Sequence, residues 1–167
     1  MRKFFIGMLV AVLVLSTFFM AGSVTAKDSE IMKFSSMVGV PRPYTGATNA
    51  IRGVPGGGRP WVIGAAEGKL KDNGKLEVQV RGLVIDPNEP VATAGTNPSP
   101  TFRVIVSCMS TDASGAAVVS NIMTDPFPAD AAGNAEVEAK LTLPSPCIAP
   151  IIFVTSATGS WFAATGN

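Results

Sequence analysis

Glu136 and Glu138 stand two residues apart, so on an extended strand their carboxylates share a face. Two carboxylates so placed can cleave a glycoside, one as acid and the other as base or nucleophile. That division of roles needs surroundings that push the two pKa values apart. Nothing nearby in the sequence does so. Lys140 continues the same row, and the pattern reads as a solvated outer face. Asp86, Asn88 and Glu89 form an oxygen-rich loop. Calcium takes about six to eight oxygens, so a site there would need Asp125 or Asp130 folded in beside the loop. A solvated turn is the simpler reading. Gly64-Ala65-Ala66-Glu67-Gly68-Lys69-Leu70 imitates a phosphate-binding loop. It is one residue short, lacks the Ser or Thr that holds magnesium, and lies in an expected strand instead of ahead of a helix.

What the chain lacks is equally informative. It has no histidine. Triads that shuttle a proton through imidazole are therefore excluded, as are the common zinc sites built on imidazole or clustered thiolates. Serines and lysines are present, but no spacing singles out a catalytic pair. The sequence thus offers no catalytic residue, no metal-ligand set and no cofactor motif. Lys and Arg total 13 against 12 Asp and Glu, with no charge block or basic stripe. Nucleic acid and anionic membrane surfaces are not favoured as partners.

Arg2 and Lys3 precede an apolar run from Phe4 to about Met20, followed by Ala21-Gly22-Ser23-Val24-Thr25-Ala26. This order is that of a secretory signal peptide, with Val24 and Ala26 at the −3 and −1 positions of a cut before Lys27. The competing reading is a transmembrane anchor, for which the run is near the lower length limit. No cysteine lies near the cut, which excludes a lipoprotein anchor. A secreted or periplasmic protein is expected, with no transmembrane segment after cleavage. In that compartment the lone cysteine pair, Cys108 and Cys147, reads as a disulfide. The rival, a reactive thiol or redox pair, lacks CxxC spacing and a nearby base.

The elements that must position these groups are strands. Residues 27–58 contain Pro41, Pro43, Pro55 and Gly56-Gly57-Gly58, and read as an N-terminal arm with a short strand around Ile31 to Val40. Residues 59–167 read as one domain. Pro60–Lys71 and Lys75–Ile85 flank the hairpin turn Asp72-Asn73-Gly74. Gly82 suggests a bulge in the second of them. A long connection leads to Thr101–Thr111, then Asp112-Ala113-Ser114-Gly115 turns the chain into Ala116–Thr124. Asp125-Pro126-Phe127-Pro128 ends that strand. Val137, Ala139, Leu141 and Leu143 alternate with Glu136, Glu138, Lys140 and Thr142 in the clearest period of two. An apolar central strand, Ile148–Ser156, and a short last strand, Trp161–Thr165, follow. The expected fold is an all-β sandwich, an immunoglobulin-like Greek key of six to eight strands. A small barrel is the alternative.

Trp61, Tyr44, Phe127, Trp161 and Phe162 are the aromatic candidates for a ligand face. Trp161 and Phe162 are adjacent on one strand and must face opposite ways. On a terminal edge strand one of them becomes an exposed anchor, and this hairpin is the candidate binding surface. The alternative is that the Gly-rich arm covers the second face and buries both rings.

Several segments resemble a family of uncharacterised secreted bacterial proteins. They are Ile51-Arg52-Gly53-Val54 with Gly56-Gly57-Gly58, Pro60-Trp61-Val62-Ile63, Ala94-Gly95-Thr96-Asn97-Pro98, Val106-Ser107-Cys108, Asp125-Pro126-Phe127-Pro128, Pro146-Cys147-Ile148-Ala149-Pro150-Ile151 and Trp161-Phe162-Ala163-Ala164-Thr165-Gly166. The resemblance runs from Ile51 onward and implies a bacterial source. It supplies no catalytic residues, since the family carries no assigned activity. The function expected from the residues is a non-catalytic module that binds a protein, glycan or envelope surface. An enzyme of unfamiliar type, using carboxylates or a Ser/Lys pair, is one alternative. A carrier of a small apolar ligand between the sheets is the other.

Overall fold

Strands form where the apolar period of two is sustained. Lys75–Arg81 buries Leu76, Val78 and Val80 and turns Glu77 and Gln79 outward. Thr101–Thr111 buries both of its faces over the middle of its length, as a central strand must. In the computed structural model, which describes residues 28–166, the chain is all β. The expected signal segment, residues 1–26, lies outside the described residues. Among the described residues no helix is long and apolar enough to cross a membrane.

The strands are β1 (Glu30–Phe34), β2 (Val38–Gly39), β3 (Trp61–Val62), β4 (Ala65–Lys71), β5 (Lys75–Arg81), β6 (Val84–Ile85), β7 (Thr101–Thr111), β8 (Ala117–Met123), β9 (Phe127–Pro128), β10 (Ala135–Lys140), β11 (Ile148–Thr155) and β12 (Trp161–Ala164). One sheet has the order β1-β4-β5-β10. The other has the order β2-β12-β11-β7-β8, with β9 also on β7. A two-stranded ribbon, β3-β6, stands beside them. All strand pairs are antiparallel. The sheets do not close into a barrel. The chain passes from β5 to β7 and from β10 to β11 between sheets, so that β10 lies beside β5 and β11 beside β7. This is the immunoglobulin-like Greek key.

Between the sheets, Leu70, Leu76 and Val80 share one buried cluster with Phe102, Val104, Val106, Ile152 and Val154. Turn chemistry sets the hairpin registers. The Lys75 N–H donates to Asn73 Oδ1 at 2.8 Å in the β4–β5 turn. In the β7–β8 turn Asp112 Oδ1 accepts from the Ser114 hydroxyl at 2.6 Å and from the Ser114 and Ala116 N–H groups at 2.8 and 3.0 Å. These donors, the Ser114 hydroxyl foremost, hold the Asp112 carboxyl below the usual range.

Four expectations change. The described residues form twelve strands, several only two residues long, in place of the six to eight expected. Residues 60–71 and 75–85 are each split, the second at Gly82, whose φ of 66° breaks the ladder before β6. Phe127–Pro128 does not simply end β8 but pairs with Thr101–Phe102 as β9. The largest correction concerns residues 28–58, expected as an arm outside the domain. Their β1 extends one sheet and their β2 extends the other. The domain boundary expected near residue 58 therefore falls inside the sandwich.

Cys108 and Cys147 are bonded, with their Cα atoms 4.9 Å apart and a sequence separation of 39. The bond ties buried β7 to the segment entering β11. Constraining the unfolded chain over that separation contributes about 4 kcal/mol on the chain-entropy view. The Cys108→Ala/Cys147→Ala variant is expected to lose roughly 2–5 kcal/mol in denaturant unfolding. A loss below about 1 kcal/mol would show that β7 and β11 hold their register without the bond.

Candidate functional site

The Trp161–Phe162 hairpin is not an exposed surface. Trp161 is 3% and Phe162 7% exposed. β12 was expected at a sheet edge, but β2 pairs outside it through Gly39 and Val38. Phe162 turns into the layer between the sheets. Its ring stacks on Trp61 with centroids 3.9 Å apart and meets Phe102 edge-on at 5.8 Å. Trp161 turns the other way, against Phe153 at 6.1 Å and Tyr44 at 6.4 Å. Residues 40–57 hold this second layer through the backbone. The Gly57 N–H donates to the Trp161 carbonyl and the Trp161 N–H to the Pro55 carbonyl, each at 2.8 Å. The Val40 N–H donates to the Phe162 carbonyl at 2.8 Å. A Cβ at position 57 would sit 3.0 Å from the Phe162 ring and press on it, and one at position 56 would overlap the Tyr44 carbonyl oxygen, so position 56 must be glycine. The Gly-rich segment thus buries both rings, and the binding surface expected at Trp161 and Phe162 is withdrawn.

Glu136 and Glu138 lie on the outer face of the four-stranded sheet, in register with Gln79 and Glu77 on β5. Gln79 Nε2 donates to Glu136 Oε2 at 3.2 Å. Glu77 is flanked by Lys69 Nζ at 2.7 Å and Lys75 Nζ at 2.9 Å, and Glu138 lies 4.0 Å from the same Lys75. Hydrogen bonds from Lys69 and then Lys75 hold the Glu77 carboxyl below its ordinary value. The Glu77 partner in turn raises Lys75. A lowered Glu77 is the opposite of what a proton donor to a glycosidic oxygen needs.

The other sequence candidates are occupied by local structure. Asp86 Oδ1 accepts from the Asn88 N–H and side-chain amide, both at 2.9 Å, and Glu89 ion-pairs with Arg42. Asp130 accepts from the Asn134 N–H at 2.8 Å and its side-chain amide at 3.0 Å, and these bonds lower its pKa. Among the described residues no three His, Cys, Asp or Glu side chains are grouped as metal ligands. Residues 64–70 run into β4, paired with β5, with no helix behind them to receive a phosphate.

The structure places elsewhere what the sequence did not reveal. Ile148 on β11 is the register partner of Met109 on β7, which is the partner of Val119 on β8. Register partners share a face, so the three side chains form one cross-strand row. Ile148 is 55% and Val119 44% exposed. This row lies on the face of the six-stranded sheet opposite the inter-sheet core. Beside it the Arg52 turn covers that face. Arg52 Nη1 donates to the Ser107 carbonyl at 2.9 Å and the Ala149 carbonyl at 2.8 Å, while Asn121 Nδ2 donates to the Arg52 carbonyl at 3.0 Å. Ala149 lies in a register shift between Ile148 and Ile151 that also accommodates Pro150. That irregularity is what brings Ile148 opposite Met109, and no alternation count could have found it. No family model, curated protein or solved structure matches the chain.

The Lys69–Glu77–Lys75 ladder makes a pH prediction. A lowered Glu77 favours the folded state above the ordinary glutamate range of about 4.3 and loses that contribution as pH falls through the folded value. The raised Lys75 adds a contribution that is present below the ordinary lysine range of about 10.4 and fades as pH rises beyond it. The stability difference between wild type and Glu77→Gln is therefore expected to be largest near neutrality and to shrink in acid and in high salt. A difference that grows in acid would contradict the pairing.

Proposed function

We propose that the protein is a secreted or periplasmic sandwich module that acts by binding an exterior protein, without catalysis. The signal-like residues 1–26 and the Cys108–Cys147 bond support an oxidising compartment. The observation that carries the binding reading is the row Ile148–Met109–Val119, in which exposed Ile148 and Val119 flank a half-buried Met109. Apolar side chains aligned on a rigid sheet suit the apolar centre of a protein interface. Glycan recognition would favour an exposed aromatic platform, whereas of the five aromatic candidates Tyr44 alone is exposed, at 41%, and Trp61, Phe127, Trp161 and Phe162 are buried. A carrier role is less well supported, because Phe102, Leu70, Leu76, Val104 and Ile152 fill the layer between the sheets and are fully buried. The carboxylate-enzyme alternative is less well supported, because Glu77, beside the pair, is bound by two lysines and lowered.

Labelled exported protein, incubated with intact cells of the organism that secretes it, tests this reading. Saturable binding is expected, with Met109→Ser/Ile148→Ser weakening it at least tenfold, equivalent to about 1.4 kcal/mol. Glu136→Gln/Glu138→Gln should bind as wild type. Absence of saturable binding, or binding indifferent to the row, would contradict the proposal.

A further inference from the structure

The edges of the two sheets are unequally protected. An unpaired strand edge invites a new strand, and proteins blunt such edges with charge, proline or shortness. β1 carries Glu30 and Lys33, and β10 carries Glu136, Glu138 and Lys140. β2 is two residues long and is followed within two positions by Pro41. β8 has none of these devices. Its sequence from Ala117 to Met123 is AVVSNIM, with no charge and no proline over seven residues. Among the described residues β8 is the end strand of its sheet and pairs only with β7.

The direction of its free hydrogen-bonding groups follows from the two ends of the ladder. The Asp112 N–H donates to the Ala116 carbonyl and the Thr124 N–H to the Val104 carbonyl, each at 2.9 Å. The β7–β8 register is unbroken between them. In an antiparallel pair, inward-bonding and outward-facing residues alternate. Even-numbered residues of β8 therefore bond β7, and Ala117, Val119, Asn121 and Met123 direct their N–H and C=O groups away from the sheet.

We infer that β8 pairs edge to edge with β8 of a second copy of this chain, antiparallel about a two-fold axis at Ser120. This register sets Ala117 opposite Met123 and Val119 opposite Asn121. Every outward N–H and C=O of the strand then meets an outward partner. Val118 falls opposite Ile122, and Ser120 opposite its own copy. No like charges meet, because the strand carries none. A two-fold contact of this kind is isologous and closes at two copies. The axis is perpendicular to the sheet, so both Ile148–Met109–Val119 rows lie on the same side of one continuous sheet. The inference goes beyond the binding reading and does not rest on it: Val119 belongs to both, but the variant that tests the binding reading alters Met109 and Ile148, which lie on β7 and β11 outside the contact.

Sedimentation velocity of the exported protein from micromolar to millimolar concentration tests the contact. A monomer–dimer equilibrium is expected. Val119→Lys/Asn121→Lys should weaken dimerisation at least tenfold. Val119→Lys/Asn121→Glu should restore it, because each lysine then faces a glutamate of the other copy. Hydrogen exchange on the unaltered chain gives an answer independent of how the variants fold. The Ala117, Val119, Asn121 and Met123 amides should gain protection as concentration rises, while those of Val118, Ser120 and Ile122 stay protected throughout. A monomer at every concentration, a dimer indifferent to the charge pairs, or edge amides protected equally at all concentrations would overturn the inference. The last of these results would mean that another segment of the same chain already covers β8.

Discussion

Two large aromatic residues in succession on one strand cannot both be buried by a single layer. Trp161 and Phe162 point to opposite sides of β12, and both are buried. The chain must therefore supply apolar matter on each side of that strand. One side is the ordinary core of the sandwich, where Trp61 and Phe102 receive Phe162. The other is made by residues 40–57, which bring Tyr44 and the Gly56–Gly57 backbone over Trp161. Burying a tryptophan side chain is worth a few kcal/mol. That gain supports the ordering of a segment rich in proline and glycine that would otherwise have little reason to fold. The Trp161 indole nitrogen has no hydrogen-bond partner among the described residues, a cost this burial must also overcome.

The same constraint decides where a surface is left for function. Once residues 40–57 occupy the outer side of β12 and β11, the Arg52 turn reaches across to β7 and β8 and seals the ladder at the Ala149 irregularity. At the far end of that face Ile148 and Val119 stay exposed, with half-buried Met109 between them in one row. The outer face of the other sheet is different in kind. It carries Glu67, Lys69, Glu77, Gln79, Glu136 and Glu138, with paired charges of both signs. One sandwich thus presents one solvated charged face and one face divided between an internal cover and an apolar row.

Much of this was legible in residue order, and the rest was hidden for identifiable reasons. β7 has the expected bounds because Phe102, Val104, Val106 and Cys108 keep one face apolar between a proline-rich connection and the Asp112–Gly115 turn. The central position of β11 follows from its apolar content on both faces. The solvated reading of Glu136 and Glu138 follows from strict alternation with Val137 and Ala139. Residues 28–58 read as a linker because proline and glycine density is a local signal, whereas the contacts that order the segment are long-range: β1 pairs with β4, and Val40, Pro55 and Gly57 bond to the backbone of Trp161 and Phe162. The opposite orientation of Trp161 and Phe162 was visible, and so was the possibility of a cover. Which of the two outcomes held depended on the edge pairing of β2, which two residues cannot announce. The apolar row depends on register across three strands and on an irregularity at Ala149, neither of which has a one-dimensional signature.

The cover over β12 is most directly tested by the accessibility of one ring. In the Trp61→Phe background Trp161 is the sole tryptophan, and acrylamide quenching of its fluorescence reports whether residues 40–57 lie over it. Quenching in the folded protein should be far weaker than in the denatured chain, and Gly57→Val, which crowds the neighbouring Phe162 ring, should raise it. A folded protein whose Trp161 is quenched as freely as in the denatured state would show that the segment does not cover the strand, and would return the Trp161–Phe162 hairpin to the surface.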